Sequence, residues 1–134
     1  MNTLHFEKLG FNFIGKSTKT NEVTKHRRFV AFFGASPKIV AILWSELVKS
    51  GWFNFAPTKI VKPVHLLMAL NFLKCYNVEE VNAAFFNCDE KTFRQWSWFV
   101  LKGIAKLSKK IVSFLYVYFF YFLLLFVSYF FYYF

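Results

Sequence analysis

Seventeen Lys and Arg against seven Asp and Glu in 134 residues give a formal net charge of +10, which draws the chain to polyanions and, at this length, leaves room for one small domain. The attraction does not distinguish nucleic acid from an anionic membrane surface. The two cysteines, Cys75 and Cys88, have neither a CxxC spacing nor a suitably placed His, so neither a disulfide framework nor a zinc site is expected. Reduced thiols are expected, with no cofactor.

Charge is unevenly placed. Every Asp, Glu, Lys and Arg lies in residues 1–110, residues 111–134 hold none, and six of the seven tyrosines fall in 116–133. The opening MNTLHFEKLG has charges where a secretory signal needs an apolar core, so no signal peptide is expected.

Residues 1–21 lack clear periodicity and are rich in Lys, Asn and Thr; they are expected to form a flexible, weakly basic arm. Regular structure is expected from Glu22. EVTKHRRFVAFFG puts Phe29, Phe32 and Phe33 on one side and stops at Gly34, with the basic run Lys25 to Arg28 on its polar face. Ser36-Pro37 reads as N-cap and first helical residue, followed by Val40, Leu43, Trp44, Leu47 and Val48 at helical spacing. GWFNFAPTKIVK, residues 51–62, reads as a loop whose apolar members pack down on the core. Pro63 opens a helix apolar over most of its circumference, through Leu66, Leu67, Leu70 and Leu73, as the central helix of a bundle is. Residues 78–86 then make a short helix, with Val81, Ala84 and Phe85 expected inward and Glu79, Glu80 and Asn82 outward.

AAFFNCDEKTFRQWSW, residues 83–98, turns a tight corner between two apolar segments. Asp89 suits the N-cap of the second helix, where its carboxylate accepts free amides and meets the positive end of the dipole. Phe93, Trp96, Val100, Ile104 and Leu107 form its buried face. Lys91, Arg94, Gln95, Lys102 and Lys106 line the other side, a polar stripe about 22 Å long at the usual helical rise. A recognition helix has this anatomy: long donors reach base edges while flanking lysines hold phosphates. Any amphipathic surface helix also shows a polar stripe, and Trp98 on this one suits a protein partner equally, so the oligomeric state stays open.

Three segments, FVAFFGASPKIVAILW, KPVHLLMALNFLKCYNVEEV and CDEKTFRQWSWFVLKGIAKL, together resemble the N-terminal region of the Harbinger-like, insertion-sequence-related group of eukaryotic DDE-type transposases. The resemblance covers roughly residues 28–110. It implies an all-helical DNA-binding domain, a small bundle containing a helix-turn-helix, that grips transposon ends in the nucleus. It also implies that Lys91, Thr92, Arg94 and Gln95 lie on the recognition helix. In that family an RNase H-like catalytic domain follows, with three carboxylates that hold metal ions. Residues after Lys110 contain no Asp, Glu or His, so two-metal chemistry cannot be built there, and the chain is expected to bind DNA without being an enzyme. The domain expectations are thus a flexible arm at 1–21, a helical DNA-binding domain at 22–110 and an apolar, aromatic-rich tail at 111–134.

As a helix, IVSFLYVYFFYFLLLFVSYFFYYF, residues 111–134, spans about 36 Å, enough for a tilted transmembrane crossing of a hydrocarbon core of ~30 Å. Tyrosines near both ends would serve as interfacial belts, and Lys102, Lys106, Lys109 and Lys110 before it would keep the N-terminal domain cytoplasmic or nuclear. The alternative function is therefore a small tail-anchored membrane protein with a basic helical head. Phe, Tyr and many Leu codons begin with T, so a T-rich stretch read beyond a truncated transposon copy would also yield this composition.

Overall fold

The computed structural model describes residues 1–15, 21–58 and 60–133, with side chains through residue 113 and at 117. The described residues are all-α: α1 (Thr3–Ile14), α2 (Glu22–Phe33), α3 (Pro37–Lys49), a 3-10 turn (Trp52–Phe55), α4 (Pro63–Cys75), α5 (Glu79–Phe85) and α6 (Glu90–Tyr133), with no strand among them. Local chemistry sets most boundaries. Asn21 caps α2 by accepting from the Thr24 amide at 2.8 Å, Ser36 caps α3 through the Ile39 amide, and prolines open α3 and α4.

α4 touches each of the other five helices, which gives its nearly all-round apolar surface a physical reason. Leu66, Leu67 and Ala69 are fully buried, and each large side chain so buried contributes about 1.5–3 kcal/mol. Asn71, also buried, donates from Nδ2 to the Phe32 carbonyl at 2.9 Å, satisfying one of the orphan acceptors at the end of α2. His65 is buried against Trp96 with ring centroids 3.7 Å apart. Its Nδ1 accepts from the Lys62 amide at 3.1 Å, and burial followed by the Lys62 charge lowers its pKa to about 4.

The expectation of a flexible arm over residues 1–21 is corrected. Asn2 caps α1 by accepting from the His5 amide, and Phe6 is fully buried, 6.0 Å from the Trp44 ring. Gly10 lets α1 approach α2 closely: a Cβ there would run into the Phe29 ring. Phe6, Gly10 and Phe13 lie on one helical side, a spacing that the surrounding Lys and Asn residues obscure. Residues 16–20 of the expected arm lie outside the described residues.

The orientation of α5 is corrected as well. Asn82 and Ala83 are buried, whereas Val81 is half exposed. The Asn82 amide donates to the Asn77 carbonyl at 3.0 Å, and that bond turns the short helix so that a polar side chain faces inward. Val48 and Leu73, expected in the core, are exposed at the margins of α3 and α4.

α6 does not stop at Lys110. Its backbone runs unbroken from Glu90 to Tyr133, 44 residues in all, so the boundary in composition is not a boundary between elements. Among the described residues no single helix is long and apolar enough to cross a membrane. The transmembrane expectation for 111–134 falls mostly on side chains outside the described residues.

Candidate nucleic-acid interface

The corner between α5 and α6 is built from backbone bonds that only a compact four-residue connection allows. Asn87 takes a left-handed conformation, φ 52°, which Asn tolerates better than most residues. The amides of Asn87 and Cys88 donate back to the carbonyls of Ala84 and Ala83 at 3.2 and 3.0 Å. Phe86 turns into the core between Phe13, at 4.9 Å, and Phe93, at 6.0 Å, so α1 helps to fix the corner. Asp89 then caps α6 through both oxygens: Oδ1 accepts from the Thr92 amide at 2.9 Å and Oδ2 from the Thr92 hydroxyl at 2.6 Å. Those bonds hold the Asp89 carboxyl below the usual carboxylate range. Cys75 and Cys88 are free, and burial, helped by the Asp89 charge, pushes the Cys88 thiol up.

Phe93, Trp96 and Val100 face the bundle and are buried. Lys91, Arg94, Gln95, Lys102 and Lys106 are all exposed on the other side. Thr92 differs from the rest of the candidate set. It is half-buried and its hydroxyl is committed to the cap, so it positions the helix start and offers no donor outward. Arg94 pairs with Glu79 of α5, its Nε donating at 2.7 Å to Oε2. The pairing, with its hydrogen bond first, lowers the Glu79 pKa and raises that of Arg94. The guanidinium can still reach outward, because its side chain keeps about half its exposure, 55%. Lys106 places its Nζ 4.5 Å over the Trp52 ring, a cation–π arrangement.

An open groove of about 590 Å³ runs beside this edge. Lys91, Arg94, Gln95 and Lys102 form one wall; Trp98, Phe55 and Pro57 supply apolar surface. Trp52 anchors the base of the groove. Its indole nitrogen donates to the Phe99 carbonyl at 3.0 Å and its ring stacks on Phe99 at 5.3 Å. Gly103 makes room for that ring, since a Cβ at 103 would lie 2.6 Å from the Trp52 nitrogen.

The residues missed by sequence reasoning are Glu79, Trp52 and Phe55. Trp52 was expected only as a core-packing member of the loop, and Phe55 is 74% exposed instead of packed. The aromatic cluster WFNF, residues 52–55 of the connection, was the available signal. Glu79 gave none, because its partner lies fifteen residues away.

Among the described residues no three His, Cys, Asp or Glu side chains converge as a metal site would require. Comparison with family models, with curated proteins and with solved structures gives no match.

Proposed function

We propose that this chain is a DNA-binding protein that reads duplex DNA through a helix-turn-helix made by α5 and α6, and that it does so without cutting. The observation that carries the reading is the division of α6. One edge is locked by Phe93, Trp96 and Val100, while Lys91, Arg94, Gln95 and Lys102 stand exposed on the other. Rigid presentation of long donors from a capped helix start is what base readout in the major groove requires. Gln95 is suited to the paired acceptor and donor of adenine, and Arg94 to guanine. Lys91, Lys102 and Lys106 would neutralise phosphates, while Thr92 holds the helix start. The resemblance over residues 28–110 favours transposon ends as the DNA and the nucleus as the place.

The test uses the full chain and a selection from random duplexes, followed by affinity measurements across salt. Log affinity falls linearly with log salt as phosphates are neutralised. Gln95→Ala relaxes base preference at one position by about 1–3 kcal/mol, whereas Lys102→Ala weakens all duplexes alike and flattens the salt slope. If both variants behave identically on selected and random duplexes, α6 is not a recognition helix.

A second reading rests on a separate observation: α6 runs on through the uncharged segment to Tyr133. Its residues 111–133 extend about 34 Å, a length that would span a hydrocarbon core with the basic bundle on the cytoplasmic side. Flotation of the full chain with vesicles that resists salt and carbonate extraction is expected of an inserted tail. Release by salt would leave only surface attraction.

A further inference from the structure

Resting on the reading of α6 as the DNA-contacting helix, we propose that the groove beside it is a stacking site for unpaired nucleobases, so that the protein engages a single-stranded segment next to the duplex it holds. Phe55 is 74% exposed and Trp98 50% exposed, and both line this groove. Two large exposed rings on one groove, bordered by polar residues, give it the apolar surface that a flat ligand group can cover. The surrounding charge selects the ligand's chemistry. Lys91, Arg94 and Lys102 border the same groove, so a polyanion fits its wall and flat apolar groups fit its rings. Single-stranded nucleic acid combines the two, with phosphates along a cationic track and bases on aromatic side chains.

The site is also preorganised. The Trp52 ring beneath it is held by the hydrogen bond to the Phe99 carbonyl, by the Phe99 stack and by Lys106 above its face. Trp52 in turn lies 6.0 Å from the Phe55 ring, which starts the platform from a fixed base. Base pairs inside an intact duplex present only their edges to a groove. A ring platform can be used fully only by bases that have left the helix.

The experiment compares the full chain's affinity for one blunt duplex with its affinity for the same duplex carrying a short unpaired overhang. The readout is the ratio of the two. The wild-type chain is expected to prefer the overhang about tenfold, given the usual contribution of a stacked base. Trp98→Ala and Phe55→Ala should bring the ratio toward one, and Trp98→Tyr should restore most of it. Deoxyribonucleotide and ribonucleotide overhangs separate a DNA end from an RNA strand; a gain with either supports the stacking site, and the larger gain names the strand. A wild-type ratio near one with sequence preference intact overturns the stacking site and leaves duplex recognition standing. Loss of binding to every duplex overturns the reading of α6 itself. A gain that persists in both alanine variants also overturns the site. Dimerisation that Trp98→Ala abolishes, without any overhang gain, assigns the rings to a second copy of the chain instead.

Discussion

Arg94 and Glu79 show how a single ion pair can serve two demands. The pair fastens α6 to α5 when no nucleic acid is bound, yet the carboxylate occupies the guanidinium that base readout would use and puts negative charge at the interface. Glu79→Gln should therefore tighten duplex binding, by about threefold, because a cation is released and a repulsion removed; titration at fixed salt measures it. Weaker binding would mean that the pair orients α6. His65 makes a different prediction. Its pKa is about 4 against an ordinary 6.5, so the unfolded chain takes up the proton first. The stability associated with neutral His65 is fully present above pH 6.5 and falls progressively as pH drops to 4, by about 3 kcal/mol in total. Urea midpoints measured across that window should show the fall, and His65→Leu should remove most of it. Glu79 and Asp89, with lowered values, act at lower pH: their contribution is present above the ordinary carboxylate range and disappears through the depressed values.

At the scale of elements, α6 depends on what crosses beneath it. Gly103 sits mid-helix, where Gly normally costs about 1 kcal/mol against Ala, so an open site would gain from Gly103→Ala. Here the added methyl meets the Trp52 nitrogen at 2.6 Å and Leu47 at 3.0 Å, and overpacking of this kind costs about 1–3 kcal/mol. The substitution should lower the denaturation midpoint and shift Trp52 fluorescence; a gain in stability would mean that Trp52 swings away freely. Caps and breakers made the starts of α3, α4 and α6 legible, since Ser36, Pro63 and Asp89 act within a few residues, whereas the Asn21 cap of α2 emerged only in the structure. Which way α5 faces was not legible. Seven residues make barely two turns, and the bond from Asn82 to the Asn77 carbonyl outweighs the apolar pattern that put Val81 inward.

For the whole molecule, α1 is the element that changes the picture most. It buries Phe6 against Trp44, and packs the half-buried Phe13 beside Phe86 at the corner before α6. The N-terminal segment and the candidate interface therefore share one core. Phe6→Ala should destabilise the fold by about 3–5 kcal/mol, read by thermal or urea unfolding. A chain beginning at Glu22 should bind DNA more weakly than the full chain because the corner loses a wall. If such a chain unfolds at the same midpoint, α1 is only an appendage.

Composition, capping residues and the spacing of Phe93, Trp96 and Val100 determined from the sequence alone that the described chain is helical, where most helices start, and which edge of α6 faces water. These are local properties, carried by backbone satisfaction and helical period. Only the tertiary structure decided that α1 belongs to the core, that Asn82 faces inward, that Arg94 is paired with Glu79, and that Phe55 and Trp98 border one groove. Each of those depends on residues distant in the chain meeting in space, and no local periodicity encodes such meetings.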